Sequence, residues 1–455
     1  SCPGKEKMIP AVTASSIYST LGNNNSLVPM AIKDIANSIG LTAGSYITGD
    51  ELEGKDRFLD EFGTQAIWLF GIPAYKKIID LTLYKALKID PHFDVRNFSK
   101  KRNKLIDKTI KYADSSIKES IKNAAKNPNF SKNLAVSKFV VSTALTILTY
   151  TGLTKYRHNQ TKKAAQKEIL AEMQLENQNN KDKFLYTKPV NKTAFQGVQK
   201  SNKQPAFTGG ISEFMYNPVK NLMILDGSIT GERLAESRNK QELIGYAIKE
   251  GSFWAFMYFA SKPIQKFLEN RAEKNNTKPV SIDLDARVIE SKELEKAFKD
   301  GTLAQSTSKV LKLESYDSML DFIHNNPDDF VVQMAKKSDI LPTLKNATQA
   351  DNVDYRQFID YDEFQGVASK LQKLSKKFEA FKATDAKDKT LEAFLKNVKK
   401  VKRGSILLNI GACIGALGIL APALMIAMRK FDKENQGFQV KEDLKKEMMA
   451  KAGQK

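Results

Sequence analysis

Apolar and polar positions alternate at helical spacing along most of this chain, and one stretch departs from that pattern. From Gly404 to Met428 no residue carries a charge, while Lys399, Lys400, Lys402 and Arg403 precede the run and Arg429 and Lys430 follow it. Wound as an α-helix at about 1.5 Å per residue, the run reaches roughly 37 Å, enough to cross a hydrocarbon core of about 30 Å with some tilt. It reads as a transmembrane helix. Gly411, Gly415 and Gly418 recur along it at helical spacing, leaving a packing groove where a second helix could come close.

The rest of the chain reads as helices of ordinary length. Residues 1–25 are rich in Ser, Thr, Asn and Gly and are expected to form a flexible arm. Met30, Ile32, Ile35 and Ile39 outline a short helix after Pro29, broken by Gly40 and Gly44. A charged stretch to Glu61 leads into an aromatic run, Phe62 to Tyr75, too short to span a bilayer by itself. Lys100 to Ala125 is lysine-rich and helical, with Leu105, Ile106, Ile110, Ile117 and Ile121 on one face. Phe139 to Thr154 is uncharged between Lys138 and Lys155; at about 24 Å it is a short second candidate span, with a buried helix of a soluble bundle as the equal alternative. A polar linker, 176–210, contains two Phe-x-Gly units, Phe195 to Gly197 and Phe207 to Gly209, which simple turn content explains better than docking motifs.

After the linker the order of the first half returns. Ile229-Thr230-Gly231-Glu232-Arg233-Leu234 echoes Ile47-Thr48-Gly49-Asp50-Glu51-Leu52, and an aromatic run, Phe253 to Phe259, again follows a glutamate. Each half then reaches Ile-Asp with an Asp and an Arg beyond it: Ile89-Asp90 with Asp94 and Arg96, Ile282-Asp283 with Asp285 and Arg287. The pattern predicts a tandem duplication of a helical unit. Residues 26–175 form the first copy, ending in the apolar helix 139–154, and 211–291 begin the second. An inserted soluble helical subdomain, 292–389, separates that start from the terminal transmembrane helix (404–428) and the basic tail in 390–455. The fold class is all-α and membrane-associated. If the duplication holds, Ile67 to Phe70 should lie against Phe139 to Thr154, and Phe253 to Phe259 against Gly404 to Met428.

Composition narrows the partners. A net charge of +20 with a pI near 9.5 implies an anionic partner. Lysine supplies most of that charge and the Arg-Gly and aromatic-basic alternation of nucleic-acid modules is missing, so anionic lipid head groups are favoured over nucleic acid. Cys2 and Cys413, one near an end and one inside the apolar run, give no disulfide framework. His92, His158 and His324 lie in unrelated settings, and no phosphate loop, dinucleotide fingerprint or nucleophile elbow appears. No catalytic residue, metal ligand or cofactor is therefore expected.

The best candidate for a polar site is the repeated Ile-Thr-Gly-acidic segment with its arginines: Thr48, Asp50, Glu51 and Arg57 in one copy, Thr230, Glu232, Arg233 and Arg238 in the other. Helix capping by Thr48 and Thr230 is the favoured reading; pairing across the copies or head-group binding is the other. Trp68, Tyr75, Trp254 and Tyr258 are expected at the interface of water and hydrocarbon. The leading expectation is a non-enzymatic integral membrane scaffold with basic, lipid-facing helical domains, joined to a protein partner or to a second copy through its terminal helix. A small transporter or pore-like protein and a lipid-acting enzyme are the alternatives.

Overall fold

The computed structural model describes residues 14–22, 26–48, 51–98, 106–179, 211–238, 240–274, 284–344, 352–383, 388–431 and 440–452. Their regular structure is helical throughout, apart from one isolated β-bridge between Thr343 and Val353. In chain order the helices are α1 (Ala14–Leu21), α2 (Val28–Thr48), α3 (Glu51–Ile79), α4 (Lys85–Leu87), α5 (Ile106–Tyr112), α6 (Ser115–Lys126) and α7 (Pro128–Asn179). After the linker come α8 (Ile211–Tyr216), α9 (Pro218–Ala235), α10 (Lys240–Phe253), α11 (Ser261–Lys274), α12 (Ala286–Ile289), α13 (Lys292–Lys299) and α14 (Thr302–Leu311). The last are α15 (Tyr316–Asn325), α16 (Phe330–Lys337), α17 (Tyr361–Lys382), α18 (Leu391–Gly415), α19 (Ala421–Phe431) and α20 (Val440–Ala452). Wider π turns lie at Asp80–Tyr84, Trp254–Phe259 and Ala416–Leu420. The described part of the expected flexible arm contains α1, and most of the polar linker, with both Phe-x-Gly units, lies outside the described residues.

The chain divides into two compact units, each assembled from three separate segments. The first comprises residues 1–33, 76–140 and 255–414. Its centre is an apolar core from Leu284 to Val398 in which Leu294, Val310, Met319, Phe364 and Leu371 are fully buried. Short helices pack here because nearly every start is capped: Asp285, Ser291, Ser315, Asp329 and Asp360 each accept a backbone N–H of the following turn. Phe378 and Phe381 close on Phe394, tying the end of α17 to the start of α18. The core therefore reaches past both ends of the 292–389 segment read from sequence.

Three turns in this unit share one geometry. At Asp94-Val95-Arg96, Asp285-Ala286-Arg287 and Asp354-Tyr355-Arg356, the aspartate Oδ1 accepts the arginine backbone N–H at 2.9, 2.8 and 3.1 Å. In each, the arginine side chain folds back to donate from Nε to the same carboxylate. The first and third turns meet: Asp94 N–H donates to the Arg356 carbonyl at 2.9 Å, and Arg356 also reaches Asp90 at 3.2 Å.

The second unit comprises residues 34–75, 141–254 and 415–455. Its helices approach closely where glycine permits. A Cβ on Gly40 would overlap the Gly418 carbonyl, one on Gly71 would overlap the Thr146 side chain, and one on Gly63 would come within 2.8 Å of Leu153. So α3 runs along the segment 146–153 of α7, with contacts from Gly63, Gly71 and Tyr75, which shares a 2.7 Å hydrogen bond with Thr149; within the expected Ile67 to Phe70 stretch, Phe70 is exposed. α10 packs on α19, with Met425 beside Gly245. Within the first unit, Cys413 Sγ lies 3.5 Å from the Phe256 carbonyl. Among the described residues two helices, Pro128–Leu175 and Leu391–Met428, are long and apolar enough to cross a membrane.

The three glycines expected to form one packing face behave differently. Gly418 lies against the Ala36 carbonyl of α2 in the same chain, whereas a side chain on Gly411 or Gly415 would meet nothing within 4 Å. The close approach happens only where the facing helix also lacks a side chain, at Gly40.

Candidate functional site

The second unit has a charged interior. On α3 the buried polar positions are Glu53, Asp56, Arg57, Asp60, Glu61, Thr64 and Gln65, followed by the buried Trp68, a spacing of three and four that puts all of them on one helical face. α9 supplies Asp226 and Arg233 to the interior, α10 supplies Tyr246, Lys249 and Glu250, and α7 supplies Arg157 and Thr161. Buried charges in this number demand pairing, since an isolated ion inside a protein costs several kcal/mol.

The pairs are made across helices. Arg233 bridges α3 and α10, with Nη2 3.2 Å from Asp60 and Nη1 2.6 Å from Glu250. Lys249 donates to Glu61 at 2.7 Å. Arg157 reaches Asp56 at 2.9 Å, and Arg238 joins Asp56 at 3.0 Å to Glu242 at 2.6 Å. Arg57 lies 3.6 Å from both Asp60 and Glu61 and sits over the Tyr246 ring. Hydroxyls add to these pairs: Thr230 donates to Glu250 and accepts from the Trp254 indole, and Thr161 donates to Asp56.

Cationic partners lower the pKa of Asp60, Glu250 and Glu242. Burial alone would raise the Asp60 carboxyl, but Arg157, Arg233 and Lys249 outweigh it and hold it well below the usual carboxylate range. Glu250 shows the same balance, with Arg233 and Lys249 overcoming desolvation, and at Glu242 the bond to Arg238 does so. Asp34, on α2, is the exception. Burial, reinforced by Glu61, pushes its carboxyl up to about 7.

Asp34 lines a small cavity shared with Asn37, Glu61, Thr64, Gln65, Trp68, Asp226, Arg233, Lys249 and Glu250. It has about 20 Å³ for occupants the size of a water molecule. Three of its lining nitrogens, Asn37 Nδ2, Gln65 Nε2 and Trp68 Nε1, have no hydrogen-bond partner although their side chains are 2–6% exposed. Among the described residues no group of His, Cys, Asp and Glu is arranged to hold a metal ion.

The structure sorts the residues singled out from sequence. Arg57, Thr230, Arg233 and Arg238 come together in the charged interior, and Glu232 accepts from Thr151 on its edge at 2.8 Å. Thr230 is not a helix cap: it lies inside α9, and its hydroxyl serves Glu250. Thr48 ends α2, Asp50 lies outside the described residues, and Glu51 pairs with Lys55 at the exposed start of α3. Pairing between the two halves does occur, but the acids that meet Arg233 and Arg238 are Asp60 and Asp56, not Asp50 and Glu51. Trp68 is buried on the cavity and Trp254 binds Thr230, while Tyr75 and Tyr258 are half-buried. Asp34, Asn37, Asp60, Gln65 and Lys249 escaped the sequence reading. The available signal was the three-and-four spacing of polar residues on α3, which resembles a solvated face until its partner helices are known.

Compared with known protein families, with curated proteins and with solved structures, the chain matches none.

Proposed function

We propose that this chain is an integral membrane protein, anchored in lipid by its uncharged runs, that displays a basic helical core for interaction at an anionic bilayer surface. The observation that carries the reading is the inverted distribution of polarity in the second unit. Phe70, Leu148 and Ile419 are 67%, 64% and 69% exposed, while Asp60, Lys249 and Arg233 are 1%, 3% and 6% exposed. In water such an arrangement loses twice, leaving apolar surface wet and charges desolvated; in a bilayer the apolar face is matched and the ions pair inside. The uncharged runs 139–154 and 404–428 supply the spanning segments.

Lysines support the surface reading. Lys370, Lys373 and Lys376 on α17 and Lys396 and Lys400 on α18 are exposed, and the α18 pair lies just before the uncharged run begins. Each such lysine near an anionic surface contributes about 1 kcal/mol of attraction. The first unit then serves as a scaffold, presenting the capped helices of its Leu284 to Val398 core to a protein partner.

Duplication of one helical unit is part of this reading. Two features support it: α3 and α10 each run into a π turn, and Asp-x-Arg turns of matching geometry follow, at Asp94 in the first half and at Asp285 and Asp354 in the second.

Alkaline carbonate extraction of membranes containing the full chain tests the anchoring. The protein is expected in the pellet; release into the supernatant would leave no role for the exposed apolar face. Flotation with vesicles containing or lacking phosphatidylserine tests the lysines, because Lys→Gln at positions 370, 373, 376, 396 and 400 should weaken surface protection of the first unit only on anionic vesicles.

A further inference from the structure

We propose that the cavity lined by Asp34, Asn37, Gln65 and Trp68 is a proton-binding site in which Asp34 takes up the proton and bound water links it to the three unpartnered nitrogens. The inference is independent of the membrane reading, since it rests on the interior of the second unit alone.

The first ground is the charge balance around Asp34. Four carboxylates line the cavity, from Asp34 on α2, Glu61 on α3, Asp226 on α9 and Glu250 on α10, against two cations, Arg233 on α9 and Lys249 on α10. Both cations are already engaged, Lys249 with Glu61 at 2.7 Å and Arg233 with Glu250 at 2.6 Å and Asp60 at 3.2 Å. Burial, reinforced by Glu61, therefore disfavours a carboxylate at Asp34, and a proton on one of its oxygens relieves this. The exchange is balanced: an O–H bond forms on Asp34 as one breaks in hydronium, and neutral water leaves.

The second ground is the set of donors. Asn37 Nδ2, Gln65 Nε2 and Trp68 Nε1 are buried and unpartnered, so each carries the cost of an unmade hydrogen bond, about 1–3 kcal/mol. Water satisfies them, and the cavity of about 20 Å³ exceeds the ~10–15 Å³ that one water needs. Unpartnered N–H donors suit water rather than a bare metal cation: one water accepts from two of them while its own hydrogens turn to Asp34 or Glu61. The shift of Asp34 to about 7 agrees with this geometry and puts the exchange near neutral pH.

Trp68 is the reporter. The chain has two tryptophans, so Trp254→Phe in the full-length protein, kept in detergent, leaves Trp68 as the single indole. Its emission is expected to titrate as one proton between pH 5 and 9, with the transition abolished by Asp34→Asn and retained, with a moved midpoint, by Asp34→Glu. Infrared difference spectra of the wild-type chain provide a second readout that needs no neutral variant: a protonated-carboxyl stretch should grow in as pH falls through the same range and shift in frequency with Asp34→Glu. A titration that survives Asp34→Asn, or the lack of any carboxyl band, would overturn the proposal. Repeating the titration in sodium chloride and in choline chloride separates proton from metal ion, because a midpoint that falls by about one pH unit per tenfold rise in sodium would assign the cavity to sodium instead.

Discussion

Lys249 and Glu61 meet at 2.7 Å with each side chain only 3% exposed, and each is the other's nearest ionic partner. Breaking such a pair leaves one desolvated charge with no partner at that distance. Lys249→Met should therefore destabilise the folded chain by about 3–5 kcal/mol, measured as lost unfolding enthalpy or a lower midpoint in detergent. The double change Lys249→Met, Glu61→Leu should recover most of that loss. Equal damage from the double and the single change would show that the pair matters for more than its charge.

Glycine placement gives the second prediction. Gly40→Leu drives its Cβ into the Gly418 carbonyl, a backbone atom that cannot swing aside, and is expected to abolish folded protein on size-exclusion chromatography. Gly411→Leu meets open space and should leave the elution profile unchanged. A Gly411→Leu chain that fails to fold would mean that this face is covered in the folded protein.

The pH dependence of stability follows from Asp34. Its carboxyl is raised from 3.8 to about 7 in the folded chain, so the folded state holds the proton more tightly than the unfolded state does. Its contribution is then fully present below about pH 4 and is lost as pH rises through 7. Asn imitates the protonated acid at every pH. Asp34→Asn should raise the melting temperature above pH 7, by at most about 4 kcal/mol of stability, and the gain should shrink toward pH 4. A gain that is constant with pH would refute the titration.

Arg356 tests the Asp-x-Arg turns. It grips Asp354 through Nε and Nη2, each at 2.8 Å, and Asp90 at 3.2 Å, a fork that lysine cannot reproduce. Arg356→Lys is expected to cost about 1–3 kcal/mol and to loosen the 90–98 segment first, visible as faster amide exchange at Asp94. Unchanged exchange there would mean that the turn holds without the fork.

Local sequence carried the apolar architecture well and the polar architecture poorly. The run from Gly404 to Met428 is legible because a lack of charge over that length needs no partner to interpret it. The packing of α3 on α7 was legible only in part: Trp68 of the aromatic run is buried, but Phe70 is exposed and the close contacts fall at Gly63 and Gly71. Arg233 and Arg238 stand out in the sequence as charges, yet their partners could not be read, because Asp60 lies 173 residues from Arg233 and helical spacing relates only neighbours on one helix. Thr230 misled for the opposite reason. A threonine before glycine and an acid suits a helix start, but here α9 runs straight through it and the hydroxyl is used sideways. On α3 the clue was the exposed partner face: Phe58 and Phe70 lie opposite the charged stripe and point outward, the reverse of a water-soluble helix.

The π turns have a consequence for how this chain tolerates change in length. A turn at Ala416–Leu420 holds one residue more than an α turn, so it offsets the angular phase of the helix by about 100° at that point. Upstream, Lys402, Ser405, Ile406, Ile410 and Cys413 keep one side inward at three- and four-residue steps. Deleting a single residue within 416–420 would convert the wide turn to a regular one and preserve the facing on both sides of it, whereas the same deletion at Ile410 would rotate every later side chain away from its neighbours. Insertions and deletions between variants of this chain should therefore gather at 416–420, 254–259 and 80–84, where the helix can absorb a residue without losing its register.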